Sequence, residues 1–339
     1  MGATLRATVS SPWFRRAARA LIGVGVLVAV IAQVGSEPFV HGVLSIDLPV
    51  VVVAVVLSAV ATAAAAWRWS IIAGRLGVGV DFSRAVGMYY RSQFLNTVLP
   101  GGVIGDVQRA VTHGRDAGDV GQGARAVVIE RTVGQLVQLA LAVVVVAGFG
   151  FEFEGYLLAA LGIVVVVIAL AALVVGVLPA SASGVRVRRA LRRELDELAL
   201  GVGSPGASVR VVAASIVVVA CHVATFGVAV AAIGSSVPPE RVAALALVVL
   251  LAGSIPFNLG GWGPREGIAG WAFAVAGLGA SAGVAAATLF GVLAMIAVAP
   301  GLVLAGASAL RGVRPSAPAR TVALTGAGAG AGTGRKEGT

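Results

Sequence analysis

The chain has 339 residues, 58% hydrophobic and 12% charged, with a formal net charge of +10 at pH 7; its mean hydropathy is +0.98. Soluble domains carry about 25% charged residues, so this composition excludes a water-soluble globular domain and places the chain in a bilayer. The basic balance raises nucleic acid as a partner, but the arginines lie almost wholly on one side of the apolar runs, where membrane orientation accounts for them; nucleic-acid binding is rejected on that ground.

Crossing about 30 Å of hydrocarbon takes about 20 apolar residues, and runs of that kind cover residues 48–66, 126–147, 157–178, 211–233 and 284–306. A sixth run, 21–34, is shorter and follows Arg15, Arg16 and Arg19. It could be read as a signal-peptide core, but residues 31–36 offer no convincing small-x-small cleavage site, so it counts as a span.

Short cytoplasmic loops retain Lys and Arg. The N-terminal segment carries Arg6, Arg15, Arg16 and Arg19, whereas 35–47 carries no Arg or Lys. Arg68, Arg75 and Arg84 follow the second span, Glu152 and Glu154 the third, and Arg186, Arg188, Arg189, Arg192 and Arg193 the fourth. Arg311, Arg314, Arg320, Arg335 and Lys336 follow the last. Both termini are therefore expected in the cytoplasm, in a multi-pass protein of the plasma membrane. The expected organisation is a cytoplasmic N-terminus over 1–16, one transmembrane domain over 17–310, and a disordered low-complexity cytoplasmic tail over 311–339.

Two segments interrupt this alternation. Residues 81–125 must begin and end inside, and with Arg84, Arg91, Asp106, Arg109 and Arg115 in them two lipid-facing spans are implausible. A re-entrant pair of half-helices broken at Pro100-Gly101-Gly102 fits better. Residues 242–278 must begin and end outside, and their two apolar arms are too short for full spans; they too predict a hairpin, entered from the opposite face. The predicted fold is an all-α polytopic membrane protein, with about six full transmembrane helices plus two broken re-entrant hairpins. The order span, span, hairpin, span occurs twice, over 17–150 and 151–310. Three crossings in the first unit would invert the second, as in transporters built from inverted repeats.

Non-helical backbone at membrane depth is tolerated only when it is buried in protein or lines a polar cavity, so the Pro-Gly breaks predict a cavity. A helix restarting after Gly102, or at Pro264, would point unpaired N–H groups and a positive dipole end into it, which favours phosphate or carboxylate. A mid-membrane Arg costs about 2.5–3.5 kcal/mol on insertion scales, so Arg109, Arg131 and Arg265 need anionic partners or an anionic ligand. Asp106 and Arg109 can pair at i, i+3. Neighbours such as Glu130-Arg131 and Arg265-Glu266 point in different directions on a helix, so the expectation is that the two repeats pair crosswise.

The motifs "NTVLPGGVIGDVQR", "VVIERTVGQLVQL" and "PFNLGGWGPREGIAGWAFAVAGLG" resemble the transmembrane region of lysylphosphatidylglycerol synthases over most of residues 20–311. In the family's best-known members this region is similar to a flippase for aminoacylated phosphatidylglycerol, fused to a cytoplasmic aminoacyl transferase. After residue 306 about 33 residues remain, so lipid synthesis by this chain alone is not expected. Some relatives carry a glycosyltransferase domain, which keeps polyprenyl-linked sugars in view by looser analogy.

The candidate substrate-binding residues are Asn96, Pro100, Gly101, Gly102, Asp106, Arg109, Glu130, Arg131, Asn258, Gly261, Arg265 and Glu266. Each has a plainer reading. The first group could be a cytoplasmic loop with helix caps, the last an inter-helix turn with Trp262 as interfacial anchor, and Glu130-Arg131 the start of a span with Arg131 snorkelling. The stretch 185–201 lies on the inner leaflet against anionic headgroups, or is a solvated basic loop. Cys221, His222, His41 and His113 show no metal-ligand spacing, and nothing supplies an oxyanion site, so no cofactor, metal or catalysis is expected. The leading reading is a translocase for an anionic or aminoacylated phospholipid, with membrane lipids as partners. The rival is a non-transporting partner of a separate cytoplasmic synthase or glycosyltransferase.

Overall fold

The computed structural model describes residues 35–99, 102–149, 203–254 and 262–304, with isolated residues 28, 31, 32, 155, 197, 200 and 201. These residues form nine helices: α1 (Glu37–Leu44), α2 (Leu48–Arg75), α3 (Phe82–Val98), α4 (Ile104–Asp116), α5 (Val120–Phe149), α6 (Pro205–Ala232), α7 (Pro239–Gly253), α8 (Pro264–Val275) and α9 (Ala280–Ala297). Among the described residues four stretches are long and apolar enough to cross a membrane: Leu48–Arg75, Val120–Phe149, Pro205–Ala232 and Ala280–Leu304. They contain four of the predicted spans almost whole, and the chain is an all-α membrane protein. The predicted spans 21–34 and 157–178, the stretch 185–201 and the tail 311–339 lie wholly or largely outside the described residues.

The remaining helices are short for a physical reason. α3 has 17 residues and α4 13, while α7 has 15 and α8 12. At 1.5 Å per residue these reach only about 18–25 Å, short of the roughly 30 Å of hydrocarbon. The breaks fall between α3 and α4, and between α7 and α8. Gly102 (φ +61°) and Gly263 (φ +110°) hold left-handed backbone there, where a side chain would be strained. The described residues therefore contain two broken helical hairpins at the predicted places.

The halves repeat one packing plan. α2 packs on α3 as α6 does on α7, α3 on α4 as α7 on α8, and α4 on α5 as α8 on α9. α2 also touches α5 and α9, as α6 touches α9 and α5. The equivalence extends to the ends of the central helices. α2 and α6 each have 28 residues, a proline in the first turn, and a side-chain cap on the third helical N–H, from Asp47 and Ser204. Each is followed one residue on by a left-handed glycine, Gly77 (φ +78°) and Gly234 (φ +79°).

These two helices pack on each other in opposite directions. Arg75 near the end of α2 donates to Ser204 at the start of α6 (3.0 Å), and Arg68 donates to Ser215, further along α6 (2.9 Å). Equivalent helices running antiparallel mean that the second plan is the first turned over.

Two cores form, one centred in each half, and Ala54, Val146 and Val211 cross over to join the core of the opposite half. Trp69, Ile72, Tyr89, Ile129 and Val133 pack together in the first; Phe226, Leu245, Phe273, Leu289 and Phe290 pack together in the second. Val52, Val56, Val144, Val209 and Leu136 face outward, which in water would forfeit burial but in hydrocarbon needs none.

Candidate functional site

The first hairpin is held closed by one carboxylate. Asp106, in the first turn of α4, accepts hydrogen bonds from Ser92 Oγ (3.0 Å) and Asn96 Nδ2 (3.0 Å) on α3. The Asn96 amide oxygen accepts from the Gly105 backbone N–H (2.7 Å), so this side chain stitches the two half-helices and caps the second. The approach is tight: a Cβ on Gly105 would lie 2.0 Å from the Ser92 carbonyl oxygen.

Behind it sits a buried charge cluster built from four helices. Glu130 of α5, with 0% exposure, accepts from Arg68 of α2 through Nε (3.0 Å) and Nη2, from Arg109 Nη2 of α4 (3.1 Å) and from the Tyr89 hydroxyl of α3 (3.1 Å). Arg109 also reaches Asp106 (3.0 Å). Its guanidinium lies between the rings of Tyr89 (4.3 Å) and Trp69 (4.6 Å), whose π faces favour a cation. Arg131 pairs with Asp106 at 2.6 Å. Among the described residues three arginines thus meet two carboxylates, which leaves one positive charge in excess where an isolated charge is expensive.

The second half carries a smaller version. Glu266, third residue of α8 and 0% exposed, accepts from the Gly263 backbone N–H (2.7 Å) and from Arg265 Nε (3.0 Å) and Nη2 (2.5 Å). The Arg265 guanidinium lies over Trp262 and Phe290, 5.5 Å from each ring. Gly291 makes room for it, since a Cβ there would lie 2.1 Å from Arg265 Nη2. Gly134 makes the same allowance for Arg68 in the first half.

Between the halves lies a cavity of about 760 Å³, with an adjoining lobe of about 310 Å³, within the size range of small-molecule sites. Arg68, Asp106, Arg131 and Arg265 line the larger lobe. Gln93, Gly102, Arg131, His222 and Phe290 line both. Alanines 61, 65 and 294 and valines 127, 128 and 218 supply apolar wall. Of the paired charges that line the cavity Arg131 is the most exposed, its side chain at 41%, and its buried Nε has no hydrogen-bond partner among the described residues.

The structure brings Asn96, Asp106, Arg109, Glu130 and Arg131 into one network and places Gly102 and Arg265 on the cavity, with Glu266 beneath Arg265. Pro100, Gly101, Asn258 and Gly261 lie outside the described residues. Four expectations are corrected. Arg265 and Glu266 do pair, because the long arginine side chain folds back onto its neighbour at the helix start. Crosswise pairing of charges is not found among the described residues: the first half's cluster closes on itself, and Arg68 to Ser215 is its hydrogen bond to the second half.

The half-helix ends are not bare either. Asn96 takes the Gly105 N–H and Glu266 the Gly263 N–H, so arginine donors are the better anchor for an anion than the dipole ends. Arg68 is also no loop charge. α2 runs on past the apolar stretch to Arg75 and carries Arg68 buried, so it was overlooked as a site residue. The available signal was that no proline or glycine lies between the end of the apolar run at Ala66 and Gly74 to stop the helix.

A family model described as "Lysylphosphatidylglycerol synthase TM region" matches residues 16–301. Comparison with the curated proteins and with the solved structures finds no match.

Proposed function

The chain belongs to the lysylphosphatidylglycerol synthase transmembrane-region family, and on that premise we propose that it is a flippase-like translocase. It moves an anionic or aminoacylated phospholipid between the leaflets of the plasma membrane, with both termini in the cytoplasm and without covalent chemistry of its own. The observation that carries this reading is the cavity of about 760 Å³, lined by charged groups from both broken hairpins together with neutral polar side chains and apolar wall.

A lipid phosphate would take its place on Arg131, competing with Asp106 for the one salt bridge of the cluster whose arginine is well exposed to the cavity. Arg265 faces the same space from the other half. Arg68 and Arg109, both committed to Glu130, would hold the site in shape. A headgroup amine would meet Asp106 once the phosphate has drawn Arg131 away. Opposed repeats that rock about a fixed central site give alternating access.

The test is leaflet exchange of fluorescent phosphatidylglycerol, its lysyl and alanyl forms, and a polyprenyl phosphate, in liposomes holding wild type, Arg131→Ala or Arg265→Ala. A hydrogen bond to a charged group is worth about 1.5–3 kcal/mol, so exchange of the true substrate should slow roughly tenfold or more in folded Arg131→Ala. Folded wild type that exchanges none of these lipids refutes the reading and leaves a scaffold for a separate synthase or glycosyltransferase.

A further inference from the structure

A polar stripe runs along α5 away from the charge cluster. Arg131, Gln135 and Gln138 follow one another at i, i+4 and i+7 and all line the larger lobe. At about 100° and 1.5 Å per residue they fall within about 60° of one another on the helix and extend about 10 Å along its axis. Leu136 points elsewhere and is exposed, as a lipid-facing leucine should be.

These glutamines do little for the fold. Gln138 Nε2 is buried and has no hydrogen-bond partner among the described residues, an arrangement that costs about 1–3 kcal/mol in proteins. Gln135 Oε1 lies 3.3 Å from Ser254 Oγ at the C-terminal end of α7, but that hydroxyl also lies 3.0 Å from the Leu250 carbonyl oxygen. A serine has one hydrogen to give, and the shorter contact claims it. The amides are therefore open to hydrogen-bond exchange with a visitor. The Gln135 to Ser254 contact also bridges the two halves, so relative motion of the halves opens it.

We infer that Arg131, Gln135 and Gln138 form the track along which the polar headgroup crosses. This rests on the translocase reading and names the chemistry of its path. A neutral amide both donates and accepts, so it can pass phosphate, ester and hydroxyl oxygens from one position to the next. It does not hold them as a guanidinium would, and binding along a path must be weak enough to release. The preferred cargo accordingly has a headgroup rich in oxygen beyond its phosphate, such as a glycerol or sugar headgroup.

The experiment compares wild type, Gln138→Leu, and Gln135→Leu with Gln138→Leu together, in the same liposome exchange measurement, using fluorescent phosphatidylglycerol. The double variant should slow exchange at least tenfold while its melting temperature holds or rises, because an unpaired amide has been replaced by an apolar group. Exchange at the wild-type rate overturns the track and leaves the translocase reading intact, whereas wild type that exchanges no lipid overturns that reading.

A second measurement does not depend on tolerance of leucine. Cys221 is the sole cysteine, so Gln138→Cys in a Cys221→Ala background should react with a charged, membrane-impermeant thiol reagent, and Leu136→Cys should not. An unreactive Gln138→Cys overturns the track.

Discussion

Glu130→Gln isolates the electrostatic argument. The substitution keeps shape and one carbonyl acceptor but removes the charge that Arg68, Arg109 and Tyr89 all address. It also adds an NH₂ that must face one of those donors. The cluster goes from three arginines against two carboxylates to three against one, with Glu130 at 0% exposure and Arg109 at 2%. Removing one partner of a buried pair costs about 3–5 kcal/mol, because the remaining charge is neither hydrated nor paired. Against the roughly 5–15 kcal/mol that separates native from unfolded states, that is a severe loss.

The assay is thermal unfolding in detergent micelles, followed by tryptophan fluorescence. Two controls frame it. Arg84→Ala breaks the Arg84–Asp116 pair, whose side chains are 55% and 41% exposed, and should change stability by at most about 1 kcal/mol. Glu130→Gln combined with Arg68→Met removes both signs of charge and should cost less than the sum of the single changes by about 0.5–3 kcal/mol. Glu130→Gln within about 0.5 kcal/mol of wild type, or strict additivity in the pair, would refute the cluster as the device that holds the first hairpin.

Two further substitutions probe the hairpin break. Gly105→Ala places a Cβ 2.0 Å from the Ser92 backbone oxygen, which cannot swing aside; α3 and α4 must part, at about 1–3 kcal/mol or more. Gly74→Ala, which meets nothing within 4 Å, should be neutral or stabilising in the same melting measurement. Asn96→Ala removes the cap on Gly105 and one donor to Asp106. A loss of about 1 kcal/mol is expected, read as faster hydrogen exchange in the first turn of α4 with the rest of the protein unaffected.

What the linear chain determines by itself is whatever depends on neighbours in sequence. Apolar runs of spanning length, and prolines and glycines that stop them, suffice for the membrane setting, for the places of both broken hairpins and for the order span, hairpin, span that the described residues show twice. Asp106 with Arg109 was legible for the same reason, since i, i+3 spacing is a local property of a helix. The tertiary structure alone decides which charge answers which. Glu130 meets an arginine 62 residues away on α2 and a tyrosine 41 residues away on α3, and no spacing rule links them. Arg68 lay just past the apolar run and read as a flanking charge until the packing of α2 against α5 and α6 put it inside. Arg265 turned to its own neighbour because α8 begins there and leaves the side chain free to fold back. The cavity, too, belongs to neither hairpin, because each half presents one wall and the space exists only where the opposed halves meet.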